Sequence, residues 1–184
     1  MNSKAHAISA IRVQPVGRAV ALECLDELAA DLAKTFQASC HVETEPLDAS
    51  FGLDKQRGQY YSTAILGQLL SLRQYAPGER VLGVTDFDLY VPVLTFVFGE
   101  GQLGGRGGLI SLCRLREEFY GLPAKPELLR ERAAKEAVHE LGHTLGLRHC
   151  GNWQCVMAST HAVERLDLKS REFCAMCKRA AGLA

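Results

Sequence analysis

The twelve residues HELGHTLGLRHC, His139 to Cys150, hold three histidines, a glutamate and a cysteine. They close a helical pattern. Pro126 suits a first helical turn, Glu127 and Glu131 follow near the positive end of the helix dipole, and Gly146 suits a left-handed C-terminal turn. The spacing predicts a helix from Pro126 to about Leu145, with a core stripe of Ala134, Ala137, Val138, Leu141 and Leu145. At about 100° per residue, His139 and His143 point away from that stripe, with Glu140 beside them. Imidazoles placed so face a cleft or solvent, not a core.

Two imidazoles one turn apart each reach a zinc ion at about 2.0–2.1 Å. Glu140, between them in sequence, is free to take a proton from an attacking water. A helix cannot bring a third histidine to the same face six residues after His143, so the chain must turn back. Gly146 is the residue type that permits it, and the three residues from Gly146 to His149 span roughly 10 Å. His139, His143 and His149 are therefore candidate zinc ligands, with a fourth position left for water as in catalytic sites. HExxH alone recurs by chance; the whole HExxHxxGxxH is far more specific.

The chain has seven cysteines, and Cys150, Cys155, Cys174 and Cys177 crowd into its last 35 residues. That segment has little apolar material beyond Val156, Val163, Leu166, Leu168 and Phe173, so it needs a staple. Cys150-x4-Cys155 and Cys174-x2-Cys177 give two ligand pairs, the usual arrangement of a closed tetrahedral thiolate site for zinc. Free buried thiols, or two disulfides in an oxidising compartment, are the alternatives. Neighbours in an extended stretch point to opposite sides, so His149 and Cys150 put one peptide between two metals. Cys24, Cys40 and Cys113 stand alone in apolar elements and read as core thiols.

Upstream, Ile8 to Val16 reads as a strand. Gly17 leads into a helix through Phe36, with Leu22, Leu25, Leu28, Ala29 and Leu32 in phase. Cys40 to Pro46 is a second strand. Gln59 to Tyr75 is a second helix, stopped by Pro77-Gly78, and Arg80 to Thr85 is a buried strand. Leu94 to Phe98 reads as a further strand, then a loop GEGQLGGRGG, then a strand from Leu109 to Leu115. This order predicts an α/β fold: a mixed, mostly parallel sheet with an antiparallel edge strand, packed by helices. One domain over residues 1–184 is expected, with a sheet-and-helix part over 1–146 and a small zinc-stapled part over 147–184.

The 184 residues are 47% hydrophobic and 23% charged, ordinary for a soluble globular protein, and the net charge is zero. That balance argues against nucleic-acid or anionic-membrane partners. The N-terminus MNSKAHAISAIRVQPVG has no secretory apolar segment, and no run reaches membrane-spanning length. A cytoplasmic monomer with reduced thiols is expected.

His139-Glu140-x-x-His143-x-x-Gly146-x-x-His149 resembles the metzincin clan of zinc metallopeptidases. The continuation, Cys150, then Cys155-Val156-Met157, then Cys174-x-x-Cys177, is similar to the archaemetzincin family within that clan. The resemblance implies a zincin-like α+β catalytic domain with His139, His143 and His149 on a catalytic zinc and Glu140 as general base. It also implies a second, structural zinc on the four cysteines and a methionine turn at Met157. The gap from Met157 to Cys174 is about a residue shorter than the family's pattern, which trims a loop. Leu94 to Phe98 is similar in placement to the edge strand that metzincins offer to an extended peptide.

The sequence thus predicts a zinc metallopeptidase acting on peptide or protein substrates with two zinc ions per chain. One rival is a zincin-like protein that binds peptides or partners with little or no turnover. Another is a zinc-ribbon-like module on nucleic acid, which the neutral charge disfavours. His161, Arg114, Arg148 and Trp153 are possible cleft residues without a distinguishing pattern.

Overall fold

A computed structural model describes residues 8–17 and 20–183 of the chain. Residues 1–7, read above as lacking a secretory segment, and the side chain of Leu22 lie outside the described residues. The elements run β1 (Ala10–Val16), α1 (Leu22–Phe36), β2 (Ser39–Val42), β3 (Leu53–Asp54), β4 (Gln59–Tyr61) and α2 (Ser62–Ser71). Then come β5 (Glu79–Thr85), β6 (Leu89–Tyr90), β7 (Gly99–Gly101), β8 (Gly107–Ser111), α3 (Pro126–Thr144), α4 (Val163–Leu168) and α5 (Ala175–Ala181). No helix among the described residues is long and apolar enough to cross a membrane.

The main sheet has the order β2-β1-β5-β8-β7. Its first four strands are parallel, and β7 closes one edge antiparallel to β8, pairing Gly99 with Ile110 and Gly101 with Gly108. A smaller sheet, β3-β4-β6, stands apart. The mixed, mostly parallel sheet with an antiparallel edge is as predicted.

Period-two alternation sorts the strand side chains onto two faces. Leu82, Val84 and Ile110 join Leu25, Leu32, Ala134, Ala137, Val138 and Leu141 in the larger core, between the sheet and helices α1 and α3. Val81 and Leu109 join Ile65, Leu66 and Leu69 of α2 on the other face. A Cβ on Gly83 would meet the Leu69 Cδ1 at 2.5 Å and the Leu109 Cδ1 at 2.8 Å, so both leucines would have to shift. The C-terminal segment adds Val156, Met157, Val163, Leu166 and Phe173 to the larger core.

Polar groups clamp that segment to α3. Arg132, 2% exposed, grips both Asp167 oxygens at 2.7 Å, the Leu115 carbonyl at 2.8 Å and Glu117 at 2.9 Å. The Lys135 ammonium donates to the carbonyls of Leu166 and Asp167 at the end of α4.

Four expectations are corrected. Leu94 to Phe98 is not a strand. Leu94 closes a turn onto the Val91 carbonyl, Arg57 and Gln59 occupy the carbonyls of Leu94 and Thr95, and only Val97 bridges to Leu89. The edge strand is β7, inside the stretch read as loop. Gln59–Tyr61 is a strand before α2, and the last strand ends at Ser111, giving way to a short 3-10 turn at Cys113–Leu115. Cys24 is exposed and Cys113 is half-buried outside either core, so neither is a core thiol, whereas Cys40, half-buried, packs against the larger core.

Candidate metal centres and active-site cleft

Helix α3 begins with Pro126 and ends where Gly146 adopts φ +84°. There the Leu147 N–H reaches back to the Gly142 carbonyl at 3.2 Å and the Gly146 N–H to His143 at 2.9 Å. This glycine closure reverses the chain and returns His149 to the helix. The ligand nitrogens of His139, His143 and His149 lie within 4.8 Å of one another.

The hydrogen bonds fix which nitrogens face inward. His139 donates Nδ1–H to the Val156 carbonyl at 2.8 Å, and His143 donates Nδ1–H to the Leu147 carbonyl at 2.7 Å. Each neutral ring then has only a lone pair on Nε2, yet these two atoms are 3.2 Å apart. Neither can donate to the other, so the pair is suited to a shared cation. Zinc bonds of about 2.05 Å in tetrahedral geometry would put such nitrogens about 3.3 Å apart. Burial pushes His139 well below the usual imidazole range, helped by the Lys169 charge, and burial also lowers His149. Both shifts favour the neutral form, the state a metal requires.

The sulfurs of Cys150, Cys155, Cys174 and Cys177 form a second set within 4.8 Å. All four thiols are free, and Cys150 and Cys174 stand 3.9 Å apart, far beyond a disulfide bond of about 2.05 Å. Tetrahedral zinc–sulfur bonds of about 2.3 Å would put sulfurs about 3.8 Å apart. The Cys177 backbone N–H brings the Cys174 thiol down to about 7, while burial pushes Cys177 and Cys155 up. A cation among the sulfurs would compensate the buried ones. The donor chemistry of both sets fits zinc.

The two sets share one loop. Cys150 donates its N–H to the Met157 carbonyl at 2.8 Å, and the Val156 carbonyl that holds His139 sits between Cys155 and Met157. Met157 is fully buried under α3, its sulfur filling the space beside Gly142 where a Cβ would stand.

A cleft of about 650 Å³ opens over the histidines, bounded by the 94–101 stretch, by α3 and by Ser159–His161. Glu140 lies in its floor, 4% exposed, pressed against β7. A Cβ on Gly101 would come within 2.5 Å of the Glu140 carbonyl and 2.8 Å of its Oε2; one on Gly99 would meet Oε1 at 2.8 Å. Only glycines let the edge strand lie this close. Between them, Glu100 points the other way, onto Ser62 and Thr63. Burial, and then neighbouring Glu136, push the Glu140 carboxyl well above its usual range.

Every residue read as a ligand, base or turn from the sequence thus falls at one of two adjoining centres. Arg148 and His161 line the cleft, whereas Arg114 is paired with Asp88 and Trp153 is exposed elsewhere. The sequence reading passes over Glu136 and Lys169. Glu136 was signalled by its place four residues before Glu140, one turn along the same face. Lys169, 2% exposed with its ammonium 3.3 Å from the Ala158 carbonyl, had no local signal.

Comparison with known proteins agrees with this geometry. Residues 38–181 match the model of peptidase family M54. The chain is 42% identical over 173 residues to the archaemetzincin of Methanocaldococcus jannaschii, covering 92% of this chain and 91% of the relative. It is similar to the crystal structure of an archaemetzincin from Archaeoglobus fulgidus complexed with malonate, at TM-score 0.78 and 40% identity over 93% of this chain and 99% of that one. A Methanopyrus kandleri archaemetzincin structure gives TM-score 0.81 at 31% identity, over 99% of this chain and 97% of that one.

Proposed function

Because the chain belongs to peptidase family M54, the archaemetzincins, and is a zinc metallopeptidase, we propose that His139, His143 and His149 hold its catalytic zinc and that Glu140 is the general base. The observation that carries this is the convergence of three ligand nitrogens on one cleft with the Glu140 carboxylate in its floor. When bound, zinc supplies a Lewis acid that polarises a peptide carbonyl and makes water more acidic. Glu140 accepts the proton of the attacking water on a carboxylate oxygen and passes it to the departing amide nitrogen. Burial and the neighbouring Glu136 raise the proton affinity of its carboxylate, which favours taking up the proton of the water. Val156 and Leu147 keep the Nδ1 protons of His139 and His143 in place, so their Nε2 lone pairs stay presented.

Cys150, Cys155, Cys174 and Cys177 hold a second, structural zinc in this reading, and Met157 supports the histidines from below. β7, the edge of the main sheet, replaces Leu94 to Phe98 as the strand along which an extended peptide docks. The protein works as a cytoplasmic monomer. Profiling a peptide library with chelator-stripped and zinc-restored protein tests the assignment. Cleavage that appears only with zinc is expected, and equal cleavage without metal would overturn it.

A further inference from the structure

Building on that peptidase reading, we propose that Glu136 determines specificity: its carboxylate receives a cationic group on a residue flanking the scissile bond. The group is a Lys or Arg side chain or the substrate's own α-ammonium.

Glu136 lines the cleft, is 5% exposed, and has a buried Oε2 without any hydrogen-bond partner. A buried, unpaired carboxylate oxygen is costly and calls for a ligand or a function. Glu136 lies close enough to Glu140 for its charge to raise the Glu140 carboxyl. An ionised carboxylate only accepts, so Glu136 Oε2 lacks a donor until a cation or a proton enters. Lys169 is felt by both carboxylates, but its ammonium donates to the Ala158 carbonyl and sits 3.4 Å from His139 Nδ1. Among the described residues no Lys or Arg makes an ion pair with Glu136. Glu100, the other acid in the cleft wall, is already satisfied by Ser62 and Thr63.

The floor therefore offers acceptors in search of donors. An ammonium or guanidinium supplies them, and a carboxylate in the same place would be repelled. Distance limits where that cation sits on the substrate. Glu136 stands four residues before Glu140, about 6 Å along the helix axis, and Glu140 serves the reacting bond, so the cation belongs to an adjoining residue.

The test uses zinc-loaded full-length protein and alanine-based hexapeptides with a central lysine, norleucine or glutamate, each with a free or an acetylated N-terminus. Binding by fluorescence anisotropy and cleavage are measured together. The proposal expects lysine to bind at least about tenfold more tightly than norleucine, or acetylation to cost that factor if the α-ammonium is the ligand. Glutamate should bind worst, and Glu136→Gln should erase the preference. Equal binding of lysine and norleucine with either N-terminus by the unmodified protein overturns the proposal without any variant. So does a preference that survives Glu136→Gln, or a uniform loss of turnover with discrimination unchanged, which would make Glu136 a support for Glu140 alone. A charge preference without any cleavage would instead contradict the peptidase reading and leave the Glu136 assignment standing.

Discussion

His139 gives its Nδ1 proton to the carbonyl of Val156, 2.8 Å away, and Val156 lies directly between Cys155 and Met157. The orientation of a deeply buried imidazole is thereby tied to the loop that carries two of the four clustered cysteines. Cys174→Ser is expected to lower metal content from two zinc ions per chain towards one, to reduce the melting temperature and to weaken peptidase activity through His139. Elemental analysis beside a thermal melt checks this, since closed thiolate sites contribute folding free energy. Full metal content with an unchanged melt would separate the cluster from the active site.

The glycines of β7 make a steric prediction. Gly101→Val places side-chain carbon against the Glu140 backbone and carboxylate, where even a Cβ has only 2.5 Å. The strand or the carboxylate must move, and misplacement of about 1 Å costs about 100-fold in rate. Turnover should fall by about that factor while both zinc ions remain. Native turnover in a folded Gly101→Val protein would show that β7 does not constrain Glu140.

Arg132 should matter for stability rather than chemistry. Its guanidinium joins α3 to Glu117, Leu115 and Asp167 from a buried position. Replacing it with methionine leaves Glu117 without that partner, and losing one partner of a buried pair is strongly destabilising. A melting temperature lower by roughly 6–12 °C is expected, with zinc stoichiometry intact in the folded fraction. Calorimetry reads the first quantity and elemental analysis the second.

What was legible in the sequence followed from local periodicity. The 126–144 helix, its glycine stop, the parallel strands and both ligand sets rest on spacings of one turn, two residues or a CxxC loop. β7 pairs with nearby β8 but was not legible, because closeness to Glu140, some forty positions away, selected glycines that read locally as a loop. Leu94 to Phe98 misled for the opposite reason: β-prone side chains there have carbonyls already taken by Arg57 and Gln59. Cys24 and Cys113 lie in elements whose apolar stripes passed them by. Lys169 comes beside His139 only through the fold of the last forty residues.

The pH response of the metal-free protein has two opposing parts. Burial lowers His139 well below the usual imidazole value of 6.5 and raises Glu140 well above 4.5. Below about pH 6.5 the unfolded chain takes up a histidine proton that the native state refuses, so this contribution falls with falling pH. Glu140 acts the other way, because the native state holds its proton at pH values where the unfolded chain has lost it. Glu140→Gln removes the second part. The metal-free variant should therefore lose melting temperature more steeply than unmodified protein as pH drops from 6.5 to about 5, a range above the usual carboxylate titrations. Parallel slopes in thermal melts would contradict the opposing assignments.

Glu140→Gln in the zinc-loaded protein, with turnover and metal content measured on one preparation, tests the central claim most directly. The substitution preserves shape and burial but removes the proton acceptor. Both zinc ions should remain bound, and cleavage of a validated peptide should fall by at least about 10²–10⁴-fold, the usual contribution of a positioned general base. Cleavage at the native rate with both metals present would contradict the account.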